Sequence, residues 1–293
     1  VLVAWKYRPR NSLIESLDPR ARWITSFLIL ASVTQFWDIR FLLFFLAIPV
    51  AQFFLSRLTW KETRRAWFFV FLFVVVITGI NALVIGRGGA SAIKDLEPHV
   101  FWEKTWRVPL VGWPITIDFT VEKISFGLSQ IVRMFSLASL FFVIPWTMDP
   151  RKYGVTFRGM GIPYRIAFSM DLAFRLVPTL ARDFRVTVDS QQARGYELDR
   201  LEGGIITQIR RLAPILVPVV MNAIIGGEDI ANAMDLRSFG ITERTWIHKL
   251  HYRRRDYTLL AFGLILLIAS TVITKVYGLG DLWIPQWFIA LAP

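Results

Sequence analysis

The stretch 66-AWFFVFLFVVVITGINALVI-85 runs twenty residues without a charge. At ~1.5 Å per residue, a helix of that length covers about 30 Å, the hydrocarbon thickness of a bilayer. A second stretch, 257-YTLLAFGLILLIASTVIT-274, has the same character. The whole chain follows suit: of 293 residues, 54% are hydrophobic and 15% aromatic, and only 19% are charged. Soluble domains carry about 25% charged residues. These features predict an all-α polytopic membrane protein. With no cysteine in the sequence, disulfides and thiolate metal sites are excluded.

The net charge is +12. In a soluble protein that excess would point to nucleic acid. Here the basic clusters 57-RLTWKETRR-65 and 251-HYRRRD-256 each abut an apolar run. Lys and Arg collect in the cytoplasmic loops of membrane proteins, so no nucleic-acid partner is expected and the bilayer is. The basic start (Lys6, Arg8, Arg10) leads into polar sequence rather than a short apolar core. No cleavable signal is expected there, and the N-terminus is placed in the cytoplasm.

Outward from the first apolar run, the topology unfolds in order. Residues 22–56 hold two short apolar halves around 37-WDIR-40, which reads as a tight helical hairpin with Asp38 and Arg40 at the interface. The 66–85 span leads to an outer loop, 86–120. Within it, short extended pieces at 107–111 and 115–119 flank Gly112-Trp113-Pro114 and predict a small hairpin. The span 122–146 returns inward and carries Arg133 deep in apolar sequence. A cation there is costly, ~2.5–3.5 kcal/mol on insertion scales, so a structural partner inside the bundle is expected. A last span, 257–277, ends in a Trp-rich segment. About five membrane-spanning helices are expected. The chain divides into N-terminal membrane helices (1–146), a cytoplasmic-side coupling region (147–256) and a final helix with an outer C-terminus (257–293).

The middle region keeps helical periodicity while regaining charge. In 163–195, Ile166, Met170, Ala173, Val177, Leu180, Phe184 and Val188 recur at three- and four-residue steps, opposite Arg175, Arg182 and Asp189. This predicts a long amphipathic helix with Pro163 at its start, Gly195 just past its end and a kink at Pro178. A second unit begins near Ile205. Its run 212-LAPILVPVVMNAIIGG-227 contains Pro214 and Pro218 and is expected to be too short to cross alone. After Gly226-Gly227, 228-EDIANAMDLRSFG-240 resumes the pattern.

Two phrases, 191-QQARGYE-197 and 231-ANAMDLRSFG-240, each end such a helix with one arginine beside small residues. Ordinary capping explains each one: a cation offsets the negative end of the helix dipole by ~0.3–1 kcal/mol, and Gly195 suits the left-handed position that follows. Yet both phrases fall on the same, cytoplasmic side. A guanidinium at an exposed helix tip also fits a carboxylate-lined groove. Both explanations stand at this level.

The two phrases, with 16-SLDPRARW-23, 145-PWTMDP-150 and 162-IPYRIAFSMDLAFRLVPTL-180, resemble the transmembrane T component (EcfT/CbiQ type) of energy-coupling-factor transporters, a class of ABC-type micronutrient importers in prokaryotic cell membranes. The likeness is spread over nearly the whole chain. Its most specific parts are the two Xaa-Arg-Xaa coupling motifs, here Ala193-Arg194-Gly195 and Leu236-Arg237-Ser238. The second has Leu where the family more often has a small residue. The resemblance implies that each motif docks on one of two cytoplasmic ABC-type ATPase subunits. It also implies that the amphipathic helices face a separate substrate-binding membrane subunit (S component), which selects the vitamin or metal ion. On that basis Pro178, Pro214, Pro218, Gly226 and Gly227 are candidate hinges and Arg133 is structural.

An enzyme is not expected. The sequence has no Walker phosphate loop, no His-Glu-x-x-His and no Gly-x-Ser-x-Gly, so no catalytic residue, cofactor or metal site is assigned. His248, His251 and Asp256 read as an interfacial polar cluster. The rival reading is a self-contained transporter or a permease of another class. It requires polar residues facing one another within the spans, where only Gln35, Gln52, Asn81, Gln130 and Arg133 are found.

Overall fold

The computed structural model describes residues 7–84, 100–107, 114–196, 205–242, 246 and 249–286. Its helices are α1 (Pro19–Val33), α2 (Ile39–Leu55), α3 (Trp60–Val84), α4 (Val121–Thr147), α5 (Tyr153–Gly159), α6 (Tyr164–Ala193), α7 (Ile205–Leu236) and α8 (Arg254–Lys275). Strands β1 (Val100–Arg107) and β2 (Pro114–Thr120) form an antiparallel hairpin. The second strand lies where the sequence places it. The first runs upstream of the expected 107–111, of which 108–111 fall outside the described residues.

The chain divides into two compact units, one of residues 7–148 and 251–293, the other centred on 149–250. In the first, α1 packs on α8, and α4 packs on both α2 and α3. The starts of these helices follow one local rule. Asp18, Asp38 and Asp149 each stand just before a helical turn and accept the backbone N–H two residues on, from Arg20, Arg40 and Arg151. A carboxylate there satisfies an orphan donor and complements the positive helix end. Arg20 and Arg40 also reach back to pair with their caps at 2.8 and 2.6 Å.

The core is a cluster of Ile29, Val33, Phe36, Leu42, Phe45 and Leu140, with a second around Leu58, Val143 and Trp146. Lipid is as apolar as leucine, so helices in this class associate through close packing of small residues rather than through expulsion of water. The buried face of α1 fits that rule: Ala21, Thr25, Ser26 and Ser32. Opposite them, Gly263 of α8 sits so close that an added Cβ would lie 3.1 Å from Thr25. Hydroxyls in these helices bond back to their own carbonyls, as from Ser32 to Leu28 and Ser270 to Leu266. Their polar atoms are thereby satisfied without a partner helix.

One carboxylate joins the first and last helices. Asp256, 1% exposed, accepts the Asp18 N–H at 2.8 Å and the Arg253 N–H at 2.7 Å. It thus completes the N-terminal ends of both α1 and α8. The Asp256 expected in a loose polar cluster with histidines is therefore a built joint; of those histidines, His248 lies outside the described residues.

Length corrects part of the expected topology. The 22–56 region forms two helices as expected, but α1 has 15 residues and α2 has 17. By length and composition the four candidate spans are Trp60–Ile80, Val121–Thr147, Leu212–Leu236 and Arg254–Lys275. The third was expected to be too short. In fact α7 runs unbroken for 32 residues through Pro214, Pro218, Gly226 and Gly227. α6 likewise runs for 30 residues through Pro178. A helix tolerates an internal proline when the carbonyl it orphans finds another donor.

Candidate functional site

In the second unit, α5 packs against α6 and α6 against α7. At Gly154 of α5, an added Cβ would stand 2.7 Å from both the Ala167 carbonyl and Asp171 Cβ, so only glycine permits the approach. The buried positions of α6 are Ala167 and Asp171, and Asp171 pairs with Arg175 at 2.9 Å. The apolar stripe of α6 is partly exposed, at Ile166, Ala173 and Leu180. The same holds on α7, where Leu216, Val217, Val220, Met221, Ile224 and Ile225 are exposed at helical spacing.

Two contacts fix the direction of the α6–α7 pair. Near one end, the Gln191 side-chain amide donates to the Pro214 carbonyl at 3.2 Å. That carbonyl is the one that residue 218 would normally bond, and Pro218 has no N–H to offer. At the other end, Phe168 meets Phe239 with ring centroids 4.7 Å apart. The early part of α6 thus lies beside the end of α7, and the end of α6 lies beside the early part of α7. The pair is antiparallel. The stretch of α6 between these contacts, at ~1.5 Å per residue, is about 35 Å long.

Arg194 and Arg237 occupy equivalent positions at the two ends. Each is the capping residue of its helix, and each is followed by a residue in the left-handed conformation, Gly195 at φ 83° and Ser238 at φ 55°. After α6, the Gly195 N–H bonds the Gln192 carbonyl at 2.9 Å and the Tyr196 N–H bonds that of Gln191 at 3.0 Å. After α7, Ser238 bonds Asp235 at 2.9 Å and Phe239 bonds Met234 at 2.9 Å. Both ends are Schellman motifs, which satisfy the last carbonyls within the turn itself. The carbonyls therefore do not need the arginines. Both guanidiniums are exposed, and neither is hydrogen-bonded or ion-paired to a described residue. Ala193 is exposed too, and Leu236 is 89% exposed.

This geometry explains the small residue after each arginine. The left-handed position disfavours any side chain, least of all glycine and short polar residues. The capping expectation is thus met by the turn, and the arginine charge is left over. Sequence reasoning missed Gln191. Pro218 is the signal that a carbonyl four residues back lacks a donor, but nothing local identifies the donor.

Arg133 is buried in α4, 3.8 Å over the Trp37 ring and hydrogen-bonded to Gln130. Gln35, just past the end of α1, donates its side-chain amide to the Ala31 carbonyl at 3.1 Å. Both side chains thus find partners within four residues in sequence. Among the described residues no group of three or more His, Asp or Glu is placed to hold a metal.

The model of the CbiQ cobalt transport protein family matches residues 10–247. The energy-coupling factor transporter transmembrane protein EcfT of Ruminiclostridium cellulolyticum is 25% identical over 284 residues, which cover 93% of this chain and 96% of that one. EcfT of Thermotoga maritima is 26% identical over 90% of this chain and 91% of its own. EcfT of Staphylococcus aureus is 25% identical over 87% and 90%. Matched over most of its length and built of apolar helices with the paired arginine turns, the chain belongs to the CbiQ family, as the transmembrane component of an energy-coupling-factor transporter.

Proposed function

We propose that Ala193-Arg194-Gly195 and Leu236-Arg237-Ser238 are two docking tips, one for each of two ATP-hydrolysing subunits of the ABC type. The observation that carries this is the pair of exposed, unpaired guanidiniums, each presented by the same turn at opposite ends of one antiparallel helix pair. A separation of about 35 Å suits two neighbouring globular partners better than one pocket. Arginine suits the contact because its planar fork bonds a carboxylate in bidentate fashion and stays charged. On this reading the chain is non-catalytic, ATP is hydrolysed on the partner subunits, and α6 and α7 lie along the bilayer rather than across it, so that both tips are in the cytoplasm with the N-terminus.

The exposed apolar stripes of α6 and α7 support the second half of the reading, a substrate-binding membrane subunit lying against them. Apolar residues exposed at helical spacing mark a membrane or protein contact. ATP-driven movement at the tips passes along the helices to that subunit, which carries the vitamin or metal ion. Pro178, Pro214, Pro218, Gly226 and Gly227 are the places where the two levers flex. Movement is transmitted only if the tips bind the open and closed ATPase pairs unequally.

The test is charge reversal at both tips, Arg194→Glu with Arg237→Glu, in the chain expressed with its neighbouring subunits. The double variant is expected to lose co-purification of the ATPases and substrate uptake while keeping its place in the membrane. Recovery of the ATPases at normal yield would remove the basis for the proposal.

A further inference from the structure

Two cavities lie in the unit of α1–α4 and α8, and their walls differ in character. One, of about 340 Å³, is lined by Ser16, Arg253, Arg254, Arg255 and Asp256. The other, of about 170 Å³, is almost wholly apolar and is walled by Ile14, Leu17, Ile48, Leu55, Leu259 and Phe262 among others. Their linings have no residue in common but come close along the chain at two places. Ser16 of the basic pocket precedes Leu17 of the groove. Arg255 stands one helical turn, ~5.4 Å, before Leu259 on α8.

Arg253, Arg254 and Arg255 are exposed, and none of their guanidiniums is paired with a described residue. Asp256 offsets only one of these three charges, and its two oxygens are taken by the N–H groups of Asp18 and Arg253 rather than by a guanidinium. The pocket therefore carries excess positive charge at the start of a span that crosses the bilayer. A basic pocket one turn from an apolar groove matches the order of parts in a lipid: phosphate first, hydrocarbon next.

We infer that this double cavity binds an anionic glycerophospholipid, with the phosphodiester among Arg253, Arg254, Arg255 and Ser16 and an acyl chain along Leu259 and Phe262. Guanidiniums bond phosphate oxygens in bidentate fashion, which gives the headgroup a defined seat. The site is separate from the two arginine tips and does not depend on them.

The experiment is native mass spectrometry of the full chain in detergent, titrated with dioleoyl phosphatidylglycerol or dioleoyl phosphatidylcholine. The glycerol lipid is expected to be retained in preference. Each basic residue near an anionic headgroup contributes enough that Arg254→Gln weakens binding about fivefold and the triple change Arg253→Gln, Arg254→Gln, Arg255→Gln roughly 100-fold. All three side chains are at the surface and the backbone caps remain, so the fold is expected to hold. Ala51→Phe, which fills the groove, is expected to lower retention without touching a charge. Arg64→Gln with Arg65→Gln, at the start of another span, is expected to change it less than about twofold. Equal retention of both lipids, or an equal loss in the Arg64/Arg65 control, overturns the site. Displacement by inorganic phosphate at matched concentration identifies a free-anion pocket and overturns the lipid.

Discussion

Gly195→Ala and Ser238→Gly are expected to change the two arginine turns in opposite directions. Both positions are left-handed, at φ 83° and 55°. An L side chain there costs about 1–2 kcal/mol, and glycine escapes that strain. Glycine's greater freedom in the opened turn offsets about 0.5–1 kcal/mol of the difference. A Cβ added at Gly195 would meet nothing within 4 Å, so no clash complicates the sum. The net is about 0.5–1 kcal/mol, or a two- to fivefold change in the opening equilibrium. Gly195→Ala should open the α6 turn that much more often, and Ser238→Gly should open the α7 turn that much less. Global melting is a poor reporter because helix ends open locally. Hydrogen exchange at the four motif amides, those of Gly195, Tyr196, Ser238 and Phe239, reads the effect directly. Changes of the same sign in the two variants, or no change at either turn, would refute the reasoning about the caps.

Two further outcomes follow from close contacts. Gly154→Ala places a methyl 2.7 Å from the Ala167 carbonyl and from Asp171 Cβ, neither of which is the end of a flexible side chain. Overpacking of this kind costs about 1–3 kcal/mol, to be read as a lower melting temperature of the purified chain. Asp256→Asn keeps the shape but leaves one acceptor oxygen for two backbone donors, Asp18 N–H and Arg253 N–H. Losing one charge-assisted bond should cost about 1.5–3 kcal/mol, seen in the same melt, whereas Asp281→Asn at an ordinary loop position should leave it unchanged.

The apolar spans were legible because the bilayer imposes length and composition directly, as at 66–85 and 257–274. The caps at Asp18 and Asp38 were not singled out in the sequence, although an acid just before an apolar run is the local signal for them. The continuity of α7 was not legible, since prolines and a glycine pair read as breaks. Gln191 repairs one of those breaks from another helix, and no window of local sequence contains both partners. Which apolar positions of α6 are covered by this chain was not legible, because exposed and buried residues share the same period. Asp171 and Ala167 face the chain, while Ile166 and Leu180 face away from it. The arginine phrases stood out as sequence, but their equivalence became plain only from the bonds closing each turn.

Asp18 and Asp256 are separated by 238 positions along the chain. A ribosome adding ~5–20 residues per second delivers the second roughly 10–50 s after the first. Through that interval the opening helix waits in the membrane with its cap unmatched and its row of small residues bare. The helices of the other unit, α6 and α7, are synthesised in between. A nascent chain halted before α8 therefore keeps that unfinished surface exposed.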